Sequence, residues 1–139
     1  MKQFDFQLGR CIFLRLDYGK DLLEQLSEFL EMEGIEAAHI SGIGAVRNAE
    51  IGYYDQKMRE YVKRRVEGGL EILSLSGNVS LKDGKPFPHI HAVLGRDSEI
   101  YAGHLFAAEV FACELFIASL DGDIPVRELD ELTGLHLWI

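Results

Sequence analysis

Cysteine is scarce in this chain: Cys11 and Cys113 are the only two in 139 residues. Two thiols make no disulfide framework, and each sits in an apolar run. Both are therefore expected to pack as small buried hydrophobes, in a reducing compartment such as the cytoplasm. Proline is also rare, at three residues, and no linker, internal repeat or low-complexity tract interrupts the sequence. A single domain over residues 1–139 is expected. Long apolar runs are missing as well. The most apolar stretch, Leu105 to Leu120, carries Glu109 and Glu114 and is too short to cross a bilayer, and the opening MKQFDFQLGR lacks the apolar core of a secretory leader. No membrane association is expected.

Positive charge is in deficit, with 14 basic against 23 acidic residues, a net charge of -9 and a pI near 4.9. Such a chain repels nucleic acid unless its cations gather on one face. One cluster exists, Lys57, Arg59, Lys63, Arg64 and Arg65 around Tyr61; it reads first as a solvated strand or loop and second as a nucleic-acid footprint. Nucleophilic and phosphate-binding signatures are absent too. Gly42-Ile-Gly44 lacks the third glycine and the following helix of a dinucleotide fingerprint, there is no Walker sequence, and no serine occupies a nucleophile elbow.

What the sequence does have is apolar content for a core, 47% hydrophobic residues, arranged mostly with the period of a strand. Ile12, Leu14 and Leu16 alternate with Phe13, Arg15 and Asp17. From Asp21 the spacing changes: Leu22, Leu23, Leu26, Phe29 and Leu30 form one stripe of an amphipathic helix over about residues 21–33, with Asp21 at its positive end and Gly34 as its stop. Strands are expected at 36–40 and 45–54, separated by a glycine turn at Ser41-Gly-Ile-Gly44, and again at 60–67, 70–81 and 87–94. Asp83-Gly84 marks a tight antiparallel hairpin. The final run, Glu109 to Leu120, is apolar on both faces apart from Glu114 and calls for cover on both sides. The economical architecture is an α+β fold with a large, mainly antiparallel sheet and one main helix.

The histidines are distributed unevenly. His89 and His91 lie two apart on a β-like run, and two apart on a strand means the same face, about 6 to 7 Å between side chains. A turn at Gly95 to Ser98 would return the chain so that His104 lies alongside. Three neutral imidazoles can hold one ion at about 2.0 to 2.1 Å per nitrogen and leave a position open to water or a small ligand. The same pattern also fits three histidines with satisfied hydrogen bonds and no ion. His39 and His136 stand singly among apolar residues and read as structural. Glu71 and Glu114 fall within apolar runs, where a buried carboxylate needs a partner. They are the candidates for orienting a ligand histidine or acting as general base, with solvent-exposed edge positions as the alternative.

Four blocks in order, Ile40-Ser-Gly-Ile-Gly-Ala45, Glu71-Ile-Leu-Ser-Leu-Ser-Gly-Asn78, Asp83-Gly-Lys-Pro-Phe-Pro-His-Ile-His91 and Gly103-His-Leu105, resemble the plant-and-prokaryote-conserved (PPC) domain family. The resemblance spans almost the whole chain. It implies about seven mostly antiparallel strands, a homotrimer, and a metal, zinc first, held by His89, His91 and His104. Some plant members carry an AT-hook, and the family bears a DNA-binding label on that account; this chain has no AT-hook. The leading expectation is thus a trimeric metal protein with a site open to a small molecule, suited if catalytic to metal-assisted hydrolysis. The alternative is a DNA-associated or regulatory oligomer in which the metal is structural or lacking.

Overall fold

The computed structural model describes residues 1–139, in the order β1 (Phe6–Leu16), α1 (Leu22–Glu33), β2 (Ala38–Asp55), β3 (Glu60–Lys82), β4 (Lys85–Arg96), β5 (Glu99–Gly122), β6 (Val126–Leu129) and β7 (His136–Trp138). All eight elements except α1 belong to one sheet, ordered β1-β5-β2-β3-β6-β7, with β4 paired to both β3 and β5. Every pairing is antiparallel except β3 with β6. No helix is long and apolar enough to cross a membrane.

The single helix is set by its ends and its stripe. The Asp21 carboxylate accepts hydrogen bonds from the Leu23 and Glu24 amides, and its second oxygen accepts from Ala108 N on β5, so one residue both starts α1 and ties it to the sheet. Gly34, left-handed at φ 66°, ends it. Leu22, Leu26 and Leu30 are fully buried against the inner face of the sheet, where they meet Ile40, Leu75, Ile90, Leu94, Leu115 and Ile117.

The strands are longer than their sequence pattern predicts. The glycine turn expected at 41–44 is no turn: β2 runs straight through it, and the register against β3 shifts between Gly42 and Gly44 as at a β-bulge. Gly44, at φ 148°, lets the backbone of β5 approach so closely that an added Cβ would lie 2.1 Å from the Ala112 carbonyl oxygen. The glycines mark a bulge and a close approach, not a chain reversal. The expected runs 60–67 and 70–81 likewise fuse into β3, and the terminal run from Glu109 is the second half of a longer strand, β5, that begins at Glu99. The Asp83-Gly84 hairpin forms as expected, with Lys82 opposite Lys85 and both turn residues at positive φ.

Cysteine behaviour divides. Cys113 is buried and unpaired, its thiol pushed up to about 11 by burial. Cys11 corrects the expectation of burial: it sits exposed on β1, which pairs on one side only, and its side chain is on the sheet face opposite α1. The same outer face exposes Phe13, at 86%, packed on Phe116 of β5, together with Ile43 of β2.

Candidate metal centre

The histidines lie on that outer face, where the sheet closes on itself. On β4, His89 and His91 flank the buried Ile90 and so project away from the core. The Asp97-Ser98 turn, with Asp97 at φ 53°, brings β5 back antiparallel, and His104 stands directly opposite His91. His104 is also where β5 changes neighbour, pairing with β2 at Gly52 from there on. The three rings pack with centroids 5.2 Å (His89–His91), 4.9 Å (His89–His104) and 5.5 Å (His91–His104) apart. One nitrogen from each lies within 4.8 Å of the other two. Tetrahedral coordination at about 2.0 to 2.1 Å asks for nitrogens about 3.3 Å apart, which small side-chain rotations supply.

The donor set fits an ion. Burial, reinforced by Arg127 and by the other histidines, brings His89 down to about 4, and burial, His91, Lys63 and Arg127 do the same for His104. Both rings are therefore neutral near pH 7, the state in which imidazole is a ligand. His104 Nδ1 is buried with no hydrogen-bond partner, and a buried nitrogen without a partner is costly unless something coordinates it. Tyr61 and Phe106 pack on the His104 ring, with centroids 5.1 and 4.5 Å away, and fix its plane.

Next to the triad is a cavity of about 360 Å³ lined by Tyr61, Phe87, His89, His104, Phe106 and Arg127 among others. Arg127 of β6 is only 8% exposed. It donates to Ser80 Oγ (2.8 Å), Asn78 Oδ1 (2.9 Å) and the His136 carbonyl (3.1 Å), and its Nη2 lies 3.3 Å from His89 Nδ1. Sequence reasoning missed this residue. A lone arginine between Val126 and Glu128 carries no local signal of burial; the parallel pairing of Lys82 with Arg127 puts it there.

Other candidates lie elsewhere. Glu71 and Glu114, expected beside the histidines, are both exposed: Glu71 pairs across to Ala45 and Gly95, Glu114 to Arg15 and Ile43. They alternate with buried neighbours, so a run of apolar letters around each conceals a period of two. In this chain neither is brought to the triad. His39, expected to be structural, is exposed on the outer face and shares a shallow groove with Ser76, Asn78, His89 and His91. His136 is exposed, and its backbone carbonyl, not its ring, holds Arg127. The basic cluster is dispersed. Lys63 bridges Glu50 at 3.0 Å and lies over Phe106, Arg65 pairs with Glu67, Arg64 stacks on Tyr101, and Arg59 donates to the Glu131 carbonyl.

Fold and cluster together define an α+β protein, one long-stranded sheet with a single helix, carrying a cluster of three imidazoles at the sheet's closing seam. The model of the Plants and Prokaryotes Conserved domain matches residues 4–121. A metal-containing protein from Archaeoglobus fulgidus is 64% identical, with a TM-score of 0.98 over 100% of this chain and 99% of that one. A plant- and prokaryote-conserved protein from Pyrococcus horikoshii is 41% identical, with a TM-score of 0.95 over 100% and 97%. A Bacteroides thetaiotaomicron protein whose name carries a DNA-binding label is 22% identical, with a TM-score of 0.87 over 99% and 98%, a likeness of fold alone. No curated protein matches. The chain belongs to the Plants and Prokaryotes Conserved domain family.

Proposed function

We propose that this chain is a metal-binding protein that presents one ion, zinc, on His89, His91 and His104 to a small ligand in the adjoining cavity. The observation that carries the reading is the convergence of three imidazole nitrogens within 4.8 Å of one another. Two of the rings are held neutral by burial, and His104 Nδ1 has no other partner. The metal-containing relative at 64% identity supports it. Three protein ligands leave a coordination position open, as in catalytic rather than structural zinc sites. A bound ion there supplies Lewis acidity and an acidified water, the chemistry of hydrolysis. The chain's own residues shape the site: Phe106 and Tyr61 orient His104, and Arg127 abuts His89.

The test is elemental mass spectrometry on untagged protein purified without chelator. One zinc per chain is expected, and loss of the metal in His91→Ala, whose exposed ring makes the substitution tolerable to the fold. No transition metal in the native protein, even after zinc addition, would overturn the reading.

Within the same proposal the chain assembles as a homotrimer. The exposed outer face around Phe13, Ile43 and Phe111 is the apolar surface that such an assembly would cover. The DNA-binding label of the Bacteroides relative raises a second reading. Its electrostatic basis is weak here, because the basic cluster is split among carboxylates and aromatic rings. No mobility shift with duplex DNA is expected at low salt; a shift that fades steeply with added salt would restore that reading.

A further inference from the structure

We propose that the cavity beside the triad is a carboxylate site, with Arg127 as its recognition residue and a small monocarboxylate of apolar body as its ligand. This extends the reading of the triad as a metal centre and names the class of molecule that the centre meets.

Charge makes the first case. Of the 14 residues lining the cavity none is Asp or Glu, although acidic residues outnumber basic ones 23 to 14 in the chain. The lining holds Arg127, Lys82, His89, His104 and His136. Arg127 is 92% buried by its 8% exposure, and all its acceptors are neutral: a hydroxyl, a side-chain amide, a backbone carbonyl and an imidazole. A buried guanidinium without a counter-charge is costly. Three histidines bring no negative charge to offset an ion either. The guanidinium, and a dication if one is held, would leave a surplus of positive charge that favours an entering anion.

Geometry makes the second. A guanidinium has five N–H donors. Three go to Ser80, Asn78 and His136 and one faces His89, which leaves one N–H, on Nη1, without a partner in a residue that lines the cavity. Those bonds, and the rings of Phe87 and Trp138 at 5.8 and 5.3 Å from the guanidinium carbon, hold the fork in place before any ligand arrives. A guanidinium N–H held in place in this way can make a charge-assisted hydrogen bond to one oxygen of a carboxylate. Nη2 of the same guanidinium lies 3.3 Å from His89 Nδ1, so a ligand held on Nη1 is a neighbour of the triad. The rest of the lining, including Leu23, Phe87, Leu105, Phe106, Leu135 and Leu137, is apolar. About 360 Å³ suits a metabolite-sized body. Inorganic phosphate or sulfate would satisfy the charge and leave that apolar wall unused.

The experiment is calorimetric titration of zinc-loaded and metal-stripped protein with 4-methylpentanoate and phenylacetate, each beside its neutral amide, and with inorganic phosphate. It is accompanied by side-chain Nε–H spectra of arginine in the unmodified protein. Carboxylates are expected to bind at least tenfold more tightly than their amides or phosphate, and to shift the Arg127 resonance, with weaker binding of the same selectivity in stripped protein. Arg127→Met, an apolar replacement of the kind buried sites tolerate, should lose about thirtyfold or more in carboxylate affinity and still hold one zinc per chain. Equal binding of acids and amides, no binding of either, tighter binding of phosphate, or a folded Arg127→Met protein that binds acids as before would each overturn the inference. The two readings fail separately. Zinc present without acid selectivity removes the carboxylate site alone, and acid selectivity through Arg127 in a protein that takes up no zinc removes the metal centre alone.

Discussion

At the scale of single residues, the triad was legible because a strand's period of two and one tight turn suffice to bring His89, His91 and His104 together. Arg127 was not, because its position depends on a parallel pairing of β6 with the end of β3, from which β4 and β5 separate it in the chain, and on acceptors supplied by Ser80, Asn78 and His136. The histidines also govern the response to acid. His89 and His104 titrate at about 4 in the folded chain against 6.5 for a free imidazole. Between those values the unfolded chain binds protons that the folded one refuses, so stability of the metal-free protein falls as pH drops from about 6.5 toward 4 and is unaffected by these groups above pH 7. Thermal melts of metal-stripped protein from pH 7.5 to 4 should show this decline, and a His89→Asn, His104→Asn double variant should flatten it.

At the scale of elements, the helix and the Asp83-Gly84 hairpin were readable because each is written in consecutive residues, a cap, a stripe, a stop or a two-residue turn. The long strands were not, because a glycine that breaks a strand and a glycine that lets one bulge past its neighbour look alike until the neighbour is known. Gly44 is the clearest instance. Gly44→Ala would force a Cβ to 2.1 Å from the Ala112 oxygen at a φ of 148°, and should cost about 2 to 4 kcal/mol in a denaturant titration. Gly84→Ala, at φ 74° with nothing within 4 Å, should cost about 1 to 2 kcal/mol from the left-handed backbone alone. The exposed Glu71 and Glu114 belong to the same lesson: apolar neighbours on a strand report burial of the other face.

At the scale of the whole molecule, the part of the outer face around Phe13, Ile43 and Phe111 has no covering layer, and these side chains stay 86%, 59% and 59% exposed. Under the proposed trimer, Phe13→Glu should lower the mass measured by sedimentation equilibrium from three chains toward one; an unchanged mass would place the contacts elsewhere. Because β4 joins β5 only from His91–His104 out to Arg96–Glu99, the triad sits on the last rung of that ladder, at the point where β5 hands over from β4 to β2. The histidines therefore span a seam. An ion held by them would clasp the strand junction, and loading it should slow amide hydrogen exchange along 89–104 far more than in α1.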